Sequence, residues 1–168
     1  MWLDWISDEF QIIPKDDFDK IFNFKDFYAK SIADFYYLKL CKKYLKYLMT
    51  ILNEIEIKKQ EEHYNFSYLN IRQSFEDILD IWGLDFNNSS SIWDLYLKFE
   101  NRNLKRMSNN ELESTKILLL IRSIYRRRLT FPHVDLDIVW SEYSKWETDD
   151  EEKIKVENKY KEVRFKIY

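Results

Sequence analysis

Trp93-Asp94-Leu95-Tyr96-Leu97-Lys98-Phe99-Glu100 is answered, 47 residues on, by Trp140-Ser141-Glu142-Tyr143-Ser144-Lys145-Trp146-Glu147. Both octets have the form Trp-x-x-Tyr-x-x-aromatic-Glu. A second pattern alternates with the first: Arg72, Phe75, Ile78, Leu79 and, 50 residues on, Arg122, Tyr125, Arg128, Leu129. Self-similarity at a period of about 20–50 residues is the signature of a stacked repeat protein. Each residue of a helix turns about 100°. Trp93, Tyr96 and Glu100 therefore share one face with Phe99 at its edge, and Trp140, Tyr143 and Glu147 do the same with Trp146. On the second helix type, Arg122, Tyr125 and Leu129 share a face. One pair of helices cannot bury both sides of such an aromatic seam, and stacking the next pair closes it. The glutamate ending the first helix and the arginine early in the second are expected to meet as a charged hydrogen-bonded pair, Glu100 with Arg122. The rings read as scaffold and not as a cofactor box.

Composition agrees with helices. Glycine supplies positive φ and proline breaks helices, and 168 residues hold Gly 1 and Pro 2. The chain therefore reads as all-α, with a 45% hydrophobic share to fill a core. A net charge of −3 argues against a chain-wide electrostatic grip on nucleic acid and leaves room for a local basic patch. Cys41, the single cysteine, forms no internal disulfide and fits a reducing compartment as a small buried hydrophobe. No apolar run of about 20 residues is present to span a membrane. Met1-Trp2-Leu3-Asp4-Trp5 carries acid and no basic region, unlike a secretory signal.

Along the chain, the apolar spacing of Trp2, Trp5, Ile6 and Phe10 predicts a helix over 1–13, ended by Pro14. Asp16 or Asp17 caps the next, to about Lys30. A long amphipathic helix is expected over 33–58, closed by the solvated run Lys58 to Glu62, and another over 67–82. Gly83 stands where a left-handed residue would stop that helix. The last serines of Asn87-Asn88-Ser89-Ser90-Ser91 are expected to cap the helix of Trp93, which runs to about Arg106. Ser108-x-x-Glu111 and Thr148-x-x-Glu151 read as capping boxes of two later helices. Asp135 or Asp137 opens the one holding Trp140. The sum is about eight helices in four antiparallel pairs, with no compositional boundary between 1 and 168. The clearest repeat signatures cover 67–106 and 117–147.

The run Tyr125-Arg126-Arg127-Arg128-Leu129-Thr130-Phe131-Pro132, then Asp135, then Trp140 to Glu147, resembles the second helix of a half-a-TPR (HAT) repeat entering the first helix of the next. HAT repeats belong to RNA-processing proteins. The start, Trp2-Leu3-Asp4-Trp5-Ile6-Ser7-Asp8-Glu9, is similar to the first helix of the U4/U6 snRNP recycling factors within that family, as is the spacing to Arg72, Trp93, Arg128 and Trp146. The chain departs from the pattern at Tyr37, Leu40 and Tyr44, where tryptophan and terminal glutamate are missing, and in its last helix (Tyr160, Val163), which lacks the arginine. The resemblance implies a right-handed α-solenoid, a TPR-like superhelix, over 1–168. Its signature positions here are Trp2, Trp5, Arg72, Phe75, Trp93, Tyr96, Phe99, Glu100, Arg122, Tyr125, Leu129, Pro132, Trp140, Tyr143, Trp146 and Glu147. It also implies a nuclear scaffold in pre-mRNA splicing and snRNP assembly, whose partners are splicing or other RNA-processing proteins. On this reading the chain is the N-terminal part of a longer array; RNA-recognition domains need glycine-bearing strands that one glycine does not supply.

No catalytic constellation is evident. His63 and His133 with one cysteine make no zinc spacing, no glycine-rich phosphate loop is present, and Cys41 reads as inert rather than as a nucleophile beside a histidine. Neither a metal nor a cofactor is expected. Asp149-Asp150-Glu151-Glu152 suits the dipole at a helix N-terminus. The cluster Arg126-Arg127-Arg128 is the one functional candidate, for an RNA backbone or an acidic partner segment; in direct RNA binding the Lys42, Lys43 and Lys46 surface would act with it. The competing reading has Arg126 and Arg127 solvated and Arg128 paired with a nearby acid. Exposed helices would also allow a homodimer.

Overall fold

The computed structural model describes residues 38–59 and 61–167. The helices expected over 1–13 and up to Lys30, and Trp2 and Trp5 with them, lie outside the described residues. Six helices follow: α1 Leu38–Ile57, α2 Glu61–Trp82, α3 Ser90–Arg106, α4 Glu111–Leu129, α5 Leu136–Trp146 and α6 Asp150–Ile167. The described residues contain no strand, so the fold is all-α, as the scarcity of glycine and proline implies. The chain divides into two compact units, Met1–Ile78 and Leu79–Tyr168.

In the first unit, α1 buries Leu40, Cys41, Tyr44, Leu45, Leu48, Ile51, Leu52 and Ile55, a stripe at helical spacing. Cys41 is a buried free thiol. On α2, Tyr64, Tyr68, Ile71, Phe75 and Ile78 form the buried face. Arg72 lies over the Tyr68 ring, 4.6 Å from its centroid, and donates to the Tyr68 hydroxyl. Lys58 and Lys59 at the end of α1 are exposed.

In the second unit the helices pack serially. α3 lies against α4, α4 against α5 and α6, and α5 against α6. Asp94 near the start of α3 pairs with Arg128 near the end of α4, and Asp137 at the start of α5 meets Tyr160 and Arg164 late in α6. Each pair is therefore antiparallel. The buried face of α3 carries Trp93, Tyr96, Phe99 and Glu100, as its periodicity predicts.

The helix ends differ in detail from expectation. Gly83 is not left-handed. A Cβ there would press into the Leu79 carbonyl oxygen and come within 3.4 Å of the Trp93 ring. Its carbonyl accepts the Trp93 indole N–H at 3.1 Å. Close approach, not positive φ, therefore explains the glycine. Among the described residues the left-handed one is Lys59, at φ 56, just past the end of α1. The serines before α3 do not cap it through their side chains. Asp85 organises that turn, its carboxylate accepting the N–H groups of Asn87 at 3.0 Å and Asn88 at 2.7 Å. The cap of α4 is Asn110, which accepts from the Glu113 N–H at 3.2 Å, two residues beyond the expected Ser108. Asp149 does the same for α6 in place of Thr148, accepting from the Glu151 and Glu152 amides. Asp149 puts an anion at the positive end of the α6 dipole, and in α4 the neutral Asn110 cap is followed by Glu111 and Glu113 in the first turn. Asp135 does precede α5, but without a side-chain cap bond.

Candidate functional site: clamps between successive helices

The signature residues of the second unit are used to hold each helix to the next. Arg122 on α4 donates through Nε to Glu147 Oε2 at 2.7 Å and through Nη2 to Oε1 at 2.8 Å. Glu147 directly follows α5. The expected pair Glu100–Arg122 is thereby corrected: the arginine reaches forward to the glutamate of the following repeat. Tyr143 OH and the Asp149 N–H also donate to this carboxylate, at 3.3 and 3.1 Å. The Glu147 side chain is 1% exposed, so its charge is tolerable only because several donors satisfy it. The Arg122 hydrogen bonds hold the Glu147 carboxyl below its usual range, against the opposing effect of burial. The same bond raises the Arg122 pKa. Burial, with the Glu147 charge, pushes Tyr143 up to about 12.

Beside this clamp, the Tyr125 ring lies 5.5 Å from Tyr143 and 5.4 Å from Trp146. Arginine and ring, three residues apart on α4, thus engage glutamate and rings on one edge of α5. Trp140 stacks on Tyr160 of α6, with centroids 5.0 Å apart and planes at 11°. Trp93 is buried with Phe131 at 6.0 Å and Arg127 over its ring at 5.1 Å. The two tryptophans share the job of meeting the following helix, with different neighbours, and Trp140 is more exposed than Trp93. Phe75, Tyr96, Phe99, Glu100, Leu129 and Tyr143 are buried, whereas Pro132 is exposed.

The three consecutive arginines face three ways. Arg128 is 2% exposed and donates to Asp94 Oδ1 at 2.6 Å. Arg127 covers Trp93. Arg126 pairs with Glu152 of α6 and keeps 44% of its side chain exposed. Arg128 therefore has the acidic partner that the competing reading assigned to it.

Sequence reasoning missed three residues that matter here. Asp94 and Asp137 anchor α3 and α5 to the helix that follows each. They occupy different repeat positions: Ser141 stands at the place of Asp94, and Ser90 at the place of Asp137. Comparing the two octets therefore hides them. His133 is 2% exposed, and its ring lies beside the Arg128 backbone without a full hydrogen bond. Burial, then the Arg128 charge, lowers its pKa from 6.5 to about 4. Among the described residues no group of three or more His, Cys, Asp or Glu could hold a metal ion. No described helix is long and apolar enough to cross a membrane.

A family model described as Suppressor of forked protein matches residues 1–163. The chain is 25% identical over 150 residues to the human spliceosome associated factor 3, U4/U6 recycling protein, covering 89% of this chain and 13% of that protein. It is 33% identical over 78 residues to the mRNA 3'-end-processing protein RNA14 of Candida albicans, covering 46% of this chain and 9% of the relative. The chain thus spans about a tenth of the length of the curated relatives it matches.

Proposed function

The chain belongs to the Suppressor of forked protein family, and on that premise we propose that it is a non-enzymatic helical-repeat scaffold of an RNA-processing factor. It works in the nucleus through protein–protein contacts, in pre-mRNA splicing and in assembly and recycling of U4/U6 snRNPs. The observation that carries this reading is the family match over 1–163. The spliceosome-associated relative, aligned over 89% of the chain, favours splicing over 3'-end processing. The use of charged signature residues supports a scaffold: Arg122, Glu147 and Arg128 are committed to partners within the stack. Affinity capture from nuclear extract, with the full chain as bait and nuclease added, tests it. Splicing and snRNP proteins should be retained after nuclease. Recovery of no RNA-processing protein would sink the proposal.

Direct RNA binding is the second reading. Among the basic residues proposed for it, Lys43, Lys46 and Arg126 are exposed. Replacing these three with glutamate leaves the Arg128–Asp94 pair intact, and should abolish a steeply salt-dependent affinity. Absence of binding at low salt removes this reading. Self-association through exposed helices is a separate matter, decided by sedimentation equilibrium.

A further inference from the structure

The Val134 N–H donates to the Phe86 carbonyl at 3.1 Å, which ties the turn before α3 to the turn before α5. Four apolar side chains stand out in water at these turns: Leu84, 77% exposed, Phe86, Val134 and, in the first turn of α5, Ile138. They are not spare core. α5 fills its inner face with Leu136, Val139 and Tyr143 and leaves Ile138 outside.

The charge carried by these two stretches of chain has one sign. From Leu79 to Leu97 and from Leu129 to Ser144 the chain carries Asp80, Asp85, Asp94, Asp135, Asp137 and Glu142, with neither lysine nor arginine. Arg128 neutralises Asp94, and Arg164 neutralises Asp137. The other four have no cationic partner among the described residues. Asp80 lies one turn before Leu84, Asp85 between Leu84 and Phe86, Asp135 beside Val134, and Glu142 one turn beyond Ile138.

Exposed apolar side chains mark contact surfaces, and complementary charge selects among partners. Four side chains fall short of the roughly 800 Å² that each partner contributes to a standard protein–protein interface, so a short segment fits better than a globular face. A second copy of this chain would bring the same acidic surface, and a nucleic-acid backbone would be repelled. We infer that this strip docks a short segment of a partner protein in which apolar side chains are flanked by lysine or arginine. The inference rests on the scaffold reading and names the chemistry of one partner.

The probes are a synthetic leucine–lysine peptide and its leucine–glutamate counterpart, titrated against the full chain by fluorescence anisotropy. Two double variants are compared with the unaltered chain: Leu84→Ser with Val134→Ser, and Asp80→Lys with Glu142→Lys. All four positions are exposed, and an unchanged melting temperature verifies the fold. The leucine–lysine peptide should bind, and should weaken about tenfold or more in each variant. The leucine–glutamate peptide should bind at least about tenfold more weakly. No binding of the leucine–lysine peptide, equal affinity for both peptides, or affinity unchanged in both variants overturns the inference. So does displacement of the peptide by a single-stranded RNA oligonucleotide. Nuclear-extract capture with Leu84→Ser and Val134→Ser separates the two proposals: loss of a retained protein supports the strip, whereas an unchanged set of RNA-processing proteins overturns the strip and leaves the scaffold standing.

Discussion

Arg122 and Glu147, 25 residues apart, meet in a two-point hydrogen bond that joins α4 to the end of α5. The guanidinium fork matches the two carboxylate oxygens, a geometry an ammonium cannot reproduce. Because Glu147 is almost wholly shielded from water, its charge depends on Arg122 far more than Arg122 depends on it.

Arg122→Leu should destabilise the chain by about 3 kcal/mol, since it strands a buried carboxylate. Arg122→Lys should recover only part of that. Adding Glu147→Met to Arg122→Leu should restore part of the stability, because the stranded charge is then gone although the Tyr143 hydroxyl and the Asp149 N–H lose their acceptor. Urea unfolding of the three variants measures this; a double variant less stable than Arg122→Leu alone would contradict the account.

Among the described residues two buried groups contribute to the acid limb of stability, in separate windows. The Glu147 carboxyl titrates below its ordinary 4.5 in the folded chain. Its contribution is complete above that value and is lost as pH falls through the lower, folded one. His133 titrates at about 4 when folded, against 6.5 ordinarily. Between those values the unfolded chain binds the extra proton, so stability declines as pH falls from 6.5 towards 4, by roughly 2–3 kcal/mol. Thermal melts of His133→Phe across pH 4–7 should lose that slope while keeping the steeper decline below pH 4.5. A slope retained in the variant would count against the assignment.

Trp93 joins the end of α2 to α3 through the Gly83 carbonyl. Trp93→Phe keeps a ring and removes the donor, and should cost about 1–2 kcal/mol. Gly83→Ala forces a methyl group against the Leu79 carbonyl and should cost at least about 1 kcal/mol. Chemical denaturation reads both, and a neutral Gly83→Ala would refute the close-approach explanation.

Lys59 holds a left-handed backbone without being glycine. That conformation costs an L-residue about 1–2 kcal/mol. Lys59→Gly should therefore stabilise the chain by about 0.5–1 kcal/mol after the added entropy of the unfolded state, while Lys59→Val should destabilise it. Equal melting temperatures for the two variants would exclude the effect.

Much of this architecture was legible in the chain itself. The near absence of glycine and proline dictated helices, and the spacing of Trp93, Tyr96 and Glu100 identified the face that α3 buries, because helical geometry assigns each residue an angle whatever its neighbours. Tertiary packing alone decided which helix crosses each face. Arg122 lies on an edge that could meet the glutamate before it or the one after it, and Glu147 takes it. The three consecutive arginines diverge because residues 100° apart meet different neighbours: a ring, the exposed carboxylate of Asp94 and the next helix. Asp94 and Asp137 were invisible to the repeat for the same reason, since each helix anchors its successor one turn away from where the other does.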